Sequence, residues 1–216
     1  MSFSIKAAII VILLVLNVGE INAKQTTENV ENNSVVIKFS NFEVVIDSLI
    51  LLDENNDLQK IQKDSAVVTL GLGETIEGKT IRISHSIYDE IKLFQRFENS
   101  ITIMDEGPHC DLTEWKHYYS NWQLIEVLKA NRVFKASSYK EDDSQLFIPI
   151  NIEELKEAVE NYCGPEWKKL IKNIKSPNEY PSGVGTSRIF IKIQLHDKSS
   201  NITIEKLLIF EILMGC

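Results

Sequence analysis

The chain has 216 residues, carries a formal charge of −8 and is 44% hydrophobic. Net acidity argues against a nucleic-acid partner and against an anionic membrane surface, since both need a basic face. It suits a soluble chain or a basic partner, and the length suits one domain able to bury a core.

The first element is a predicted signal peptide over residues 1–23. Lys6 gives a positive start, AAIIVILLVL over 7–16 is an apolar run, and Ile21-Asn22-Ala23 is a small-residue cleavage pattern. The run is short of the ~20 apolar residues that span a bilayer, with an uncleaved anchor as the alternative. The implied location is secreted or periplasmic, with no membrane attachment after cleavage. Residues 24–34 are polar and aperiodic and read as a flexible leader. Residues 35–216 are expected to form a single α+β domain.

Within that domain, Val35 to Phe39, Phe42 to Leu52, Ser65 to Leu70 and Thr80 to Ser84 read as strands, with breaks at Asn55-Asn56-Asp57 and Glu77-Gly78-Lys79. Ile91 to Phe97 alternates as a strand but also carries an i, i+3 apolar pairing. The strand reading is preferred, because Ile101-Thr102-Ile103 follows Glu98-Asn99-Ser100, a plausible hairpin connection. Asn151 caps a helix from Ile152 to Tyr162, with Glu154 placed for a capping box and Leu155, Ala158, Val159 and Tyr162 on one face. Gly164 ends it. Pro165 opens a second helix to about Ile174, with Trp167, Leu170, Ile171 and Ile174 as its stripe. Residues 176–187, with two prolines and two glycines, read as a long exposed loop. Arg188 to Leu195 and Ile202 to Met214 then form a C-terminal hairpin. The whole predicts a mainly antiparallel sheet with two consecutive helices inserted before that hairpin.

Three cysteines remain for pairing: Cys110, Cys163 and Cys216. Spacing alone does not choose among three possible bridges. The Gly-Pro breaks beside Cys110 and Cys163 favour those two, leaving Cys216 free or bridged to another chain.

The densest set of chemistry-bearing residues is DEGPHCDLTEWKHYYSNW over 105–122. His109, Asp111 and His117 are competent metal ligands, but their spacing matches no ligand motif, and neither metal nor cofactor is expected. Cys110 beside His109 or His117 would make a thiol nucleophile only if unpaired. Asp105, Glu106, Asp111 and Glu114 could supply paired carboxylates for glycan hydrolysis. Glu106, His109, Asp111 and His117 are therefore the catalytic candidates. The bland alternative is a structured loop whose aromatics pack on the sheet. A recognition patch would use Trp115, Tyr118, Tyr119 and Trp122, joined by Tyr180 from the 176–187 loop. The preferred expectation is an exported binding protein for a protein or peptidic partner, inhibitor-like or immunity-like. The alternative is a secreted hydrolase using the 105–117 cluster, with or without a metal.

Overall fold

The computed structural model describes residues 34–52, 59–85, 88–129, 132–140 and 149–213. The predicted signal peptide, all but the last residue of the predicted leader, the Asn55-Asn56-Asp57 break and Cys216 lie outside the described residues. The chain is α+β, with thirteen described strands and two described helices. In order these are β1 (Val35–Phe39), β2 (Phe42–Ile46), β3 (Gln59–Ile61), β4 (Ser65–Thr69), β5 (Thr80–His85) and β6 (Glu90–Ile103). Then come β7 (Cys110–Asp111), β8 (Tyr118–Tyr119), β9 (Gln123–Leu124), β10 (Glu126–Lys129) and β11 (Val133–Lys135). Helices α1 (Ile152–Cys163) and α2 (Pro165–Leu170) precede the final hairpin of β12 (Ser182–Asp197) and β13 (Ile202–Glu211).

The strands form two sheets. The first runs β1-β2-β5-β11-β10 and is antiparallel throughout. The second runs β3-β4-β13-β12-β6, and β7, β8 and β9 pair successively along the outer edge of β6 as three fragments of one interrupted strand. Among the described residues its single parallel pairing is β13 with β4.

Period-two alternation sends Ile37, Val44, Ile81, Ile91, Leu93, Ile191 and Phe210 into one shared core. Each fully buried aliphatic or aromatic side chain there is worth about 1.5–3 kcal/mol. On the same face of β6, Ile101 and Ile103 belong to a second cluster formed with Leu155, Ala158, Val159, Ile171 and Ile174. Thus β6 carries the sheet-on-sheet core on one half and the helices on the other.

Helix α1 begins as its cap predicts: Asn151 Oδ1 accepts from Glu153 N at 2.8 Å. Glu154 does not close a capping box but pairs with Lys116 at 2.6 Å. Gly164 ends the helix at φ 102°, a conformation that suits glycine, and its N–H bonds back to Glu160 O at 3.0 Å. Tyr162, expected on the apolar face, is exposed at 57%. The second helix stops at Leu170, four residues before the predicted end, and turns carry Ile171 and Ile174 into the core.

Two further expectations are corrected. Glu98-Asn99-Ser100 is not a hairpin, because β6 runs unbroken for 14 residues. These polar residues look like a turn but are buried and paired: Glu98 with Arg188, Ser100 with Ser187 and Asn99 with Thr186. The exposed loop is also shorter than 176–187. Residues 182–187 extend β12 and pair with the second half of β6, from Ser182 opposite Ile103 to Thr186 opposite Asn99. A Cβ at Gly183 would lie 3.1 Å from Met104 Cε, so a larger residue there would require the methionine side chain to shift. Among the described residues, no helix is long and apolar enough to cross a membrane.

Candidate functional site

Strand alternation puts Phe94, Arg96, Glu98, Ser100 and Thr102 on the face of β6 opposite both cores. Cross-strand partners share that face: Lys192, Phe190 and Arg188 from β12, and Leu124, Tyr119 and Asp111 from the edge fragments. The segment 105–122 therefore runs along the sheet edge and turns several side chains onto this outer face.

At one end of the face a single guanidinium is surrounded by carboxylates. Glu98 is fully buried, and its Oε1 accepts from Arg188 Nη1 at 3.3 Å and lies 2.9 Å from His117 Nδ1. Arg188 also reaches Glu114 at 3.1 Å and Glu211 at 3.7 Å. Burial pulls the Arg188 pKa down, but the charges of Glu98, Glu114 and Glu211 outweigh it and hold the guanidinium above its ordinary value. Burial, reinforced by the charge of Glu98, raises the Tyr119 phenol above its usual value.

Toward the other end, aromatic rings hold two cations. The Arg96 guanidinium lies 4.5 Å from the Tyr119 ring centroid, 4.6 Å from Trp122 and 4.9 Å from Phe190. Lys192 Nζ lies 4.8 Å from Trp122 and 5.1 Å from Phe94. Each such contact is worth about 0.5–2 kcal/mol according to its exposure. Beyond Lys192 a shallow open depression of about 260 Å³ is lined by Glu90, Lys92, Gln194, His196 and Thr203.

The candidates singled out by sequence are dispersed. His117 joins Glu98, whereas Asp111 accepts a hydrogen bond from Thr102, further along β6. Glu106 is exposed and bonds through its N–H to Asp105 at 2.8 Å, and His109 is half-buried. Among the described residues, no group of three or more His, Cys, Asp or Glu could hold a metal ion. Cys110 is bonded to Cys163, with Cα atoms 6.0 Å apart, and the bridge ties the edge of β6 to the end of α1. Tyr119 and Trp122 meet on the outer face. Trp115 packs on the second core, Tyr118 is half-buried opposite Asn99, and Tyr180 stands 75% exposed on its own loop. Sequence reading missed Phe94, Arg96, Glu98, Arg188, Phe190 and Lys192. Their one signal was the alternation that puts them opposite the apolar core positions of β6 and β12.

No protein-family model matches this chain, and no curated protein or solved structure matches it.

Proposed function

We propose that this is an exported binding module for a protein or peptidic partner, and that it docks on the outer face of β6 and β12. The observation that carries the reading is the cation–aromatic array of Tyr119, Trp122, Phe94 and Phe190 around Arg96 and Lys192, on the sheet face turned away from both cores. Tyr119 is 43% exposed, and Leu124, further along the same edge, is 62% exposed, so contact area is accessible. Aromatic anchors with interspersed polar groups are what recognition surfaces use. The disulfide supports an oxidising compartment, secreted or periplasmic.

The experiment is site-specific photo-cross-linking. A photoreactive residue at position 119, and a control at the exposed Tyr162 on α1, are exposed to the protein's native surroundings. A discrete cross-linked partner at 119 alone, lost on adding Trp122→Ala with the thermal midpoint retained, supports the reading. Equal cross-linking from both positions refutes it.

A second reading, a secreted hydrolase, draws on the His117–Glu98 pair, because a carboxylate on Nδ1 leaves Nε2 as a base. Ser100 Oγ, however, lies 3.4 Å from that same Nδ1, so it is not a nucleophile presented to Nε2. Hydrolysis abolished by His117→Ala, with binding retained, would establish this second reading.

A further inference from the structure

The charges on the outer face are unevenly shared. Three carboxylates, Glu98, Glu114 and Glu211, converge on Arg188. Arg96 faces the same side of the sheet and is cross-strand partner to Phe190, yet neither it nor Lys192 has an ion-pair partner among the described residues. Arg96 Nε is shut from solvent and makes no hydrogen bond. The rings of Tyr119, Trp122 and Phe190 occupy the guanidinium's surroundings, and ring faces satisfy its charge but accept few of its five N–H donors. In a chain of net charge −8, two cations held in place by aromatics, with no ion-pair partner among the described residues, offer a local place for negative charge.

We infer that Arg96 and Lys192 form an anion-recognition site, and that its ligand is the carboxylate side chains of an acidic peptide segment of the partner. This rests on the reading of the outer face as the docking surface. The aromatic packing restrains both cations before binding, so little side-chain freedom remains to be lost when a carboxylate arrives. The guanidinium edge suits bidentate carboxylate geometry, and Lys192 adds a second point charge beside the same Trp122 ring. The acidic bulk of the protein repels a polyanion elsewhere, which confines it to this face.

The test uses a random twelve-residue peptide library displayed on phage and selected on the whole mature protein. Binders to the face are defined as those lost on Tyr119→Ala. The expected result is enrichment of Asp and Glu in those binders. Their affinity should fall at least tenfold with Arg96→Gln/Lys192→Gln, and also when salt is raised from about 0.05 M to about 0.5 M. If the double variant fails to fold, Lys192→Gln alone should weaken the same peptides severalfold, while Lys192→Arg retains them. Neutral or basic peptides that bind the face and ignore both cations would overturn the anion site and leave the docking face standing. A library that yields no binder sensitive to Tyr119→Ala would overturn both.

Discussion

Replacing Arg188 by Met removes the guanidinium from Glu98 while keeping much of its hydrocarbon stem. Glu98 is fully buried, and the guanidinium 3.3 Å away is its cationic partner. Breaking one side of a buried pair costs about 3–5 kcal/mol, because the remaining charge stays desolvated. His117 Nδ1 remains 2.9 Å from Glu98 Oε1 as a second polar neighbour, which places the expected loss near the lower end, about 3 kcal/mol. The more exposed pairs of Arg188 with Glu114 and Glu211 add at most about 1 kcal/mol each. For a chain of this size each kcal/mol moves the midpoint by about 2–4 °C, so the loss at Glu98 alone should lower Tm by about 6–12 °C, and the exposed pairs can only add to it. Urea unfolding and calorimetry on Arg188→Met, Glu98→Gln and the double variant complete a cycle. The double variant should be more stable than Arg188→Met, since the amide that replaces the Glu98 carboxylate carries no charge to strand. A loss below about 1 kcal/mol for Arg188→Met, or no recovery in the double variant, would refute the account of Glu98 as a buried carboxylate held by Arg188.

Replacing both Cys110 and Cys163 by Ala opens a loop with a sequence separation of 53 residues. The chain-entropy relation gives about 4 kcal/mol for such a loop, readable as a shift in the urea midpoint, with hydrogen exchange rising first in α1. Leu155→Asp puts a carboxylate where no surface is exposed, between α1 and β6, and should cost at least about 3 kcal/mol by the same assay. The His85 imidazole lies below its ordinary value of 6.5, through burial and then the charge of Arg132, and its Nδ1 accepts from Tyr88 N–H at 3.1 Å. The unfolded chain therefore takes up that proton first. Stability from this group is present above the unfolded value and is lost as pH falls below it, toward the folded value. Thermal midpoints measured between about pH 8 and about pH 5 should show this loss, and His85→Gln should flatten it.

The elements legible in the sequence were those whose order is local. β-branched and apolar runs located β1, β2 and β4, alternation located β5 and the Arg188–Leu195 part of β12, and Asn151, Gly164 and Pro165 marked the helices because capping chemistry acts within one turn. What failed was order imposed from a distance. Residues 182–187 have weak strand propensity, and their extended form follows from pairing with β6 about 80 residues earlier in the chain. Glu98-Asn99-Ser100 reads as a turn for the same reason: three polar residues in a row signal exposure unless partners elsewhere satisfy them. The cysteine pairing was legible because the Gly-Pro breaks narrowed a short list, whereas the division into two sheets left no periodic trace. Of the candidate site, Tyr119 and Trp122 were found because aromatics stand out in a polar segment. The cations they hold were not, since a lone Arg or Lys in an alternating strand normally marks nothing more than a solvent-facing position.

Which cation is neutralised and which is left open is decided by register. The ladder between β6 and β12 shifts by one residue between Thr186 and Arg188, so Ser187 is the extra residue. That shift leaves Arg188 opposite Glu98 and Phe190 opposite Arg96. It also buries Ser187, whose Oγ meets Ser100 Oγ at 2.7 Å and donates to Glu98 O at 3.3 Å, so the bulge is satisfied rather than strained. In an unshifted ladder continued from the Ser182 end, Ser187 would face Glu98, Arg188 would move one place along and side chains beyond would exchange faces. Phe190 would then leave the outer face and Arg96 would lose one of its three rings. The bulge thus sorts the same residues into a closed, acid-neutralised end and an open, cationic end. A local alternation rule applied to either strand alone contains no trace of that sorting, because it resides in the pairing of two segments about 90 residues apart.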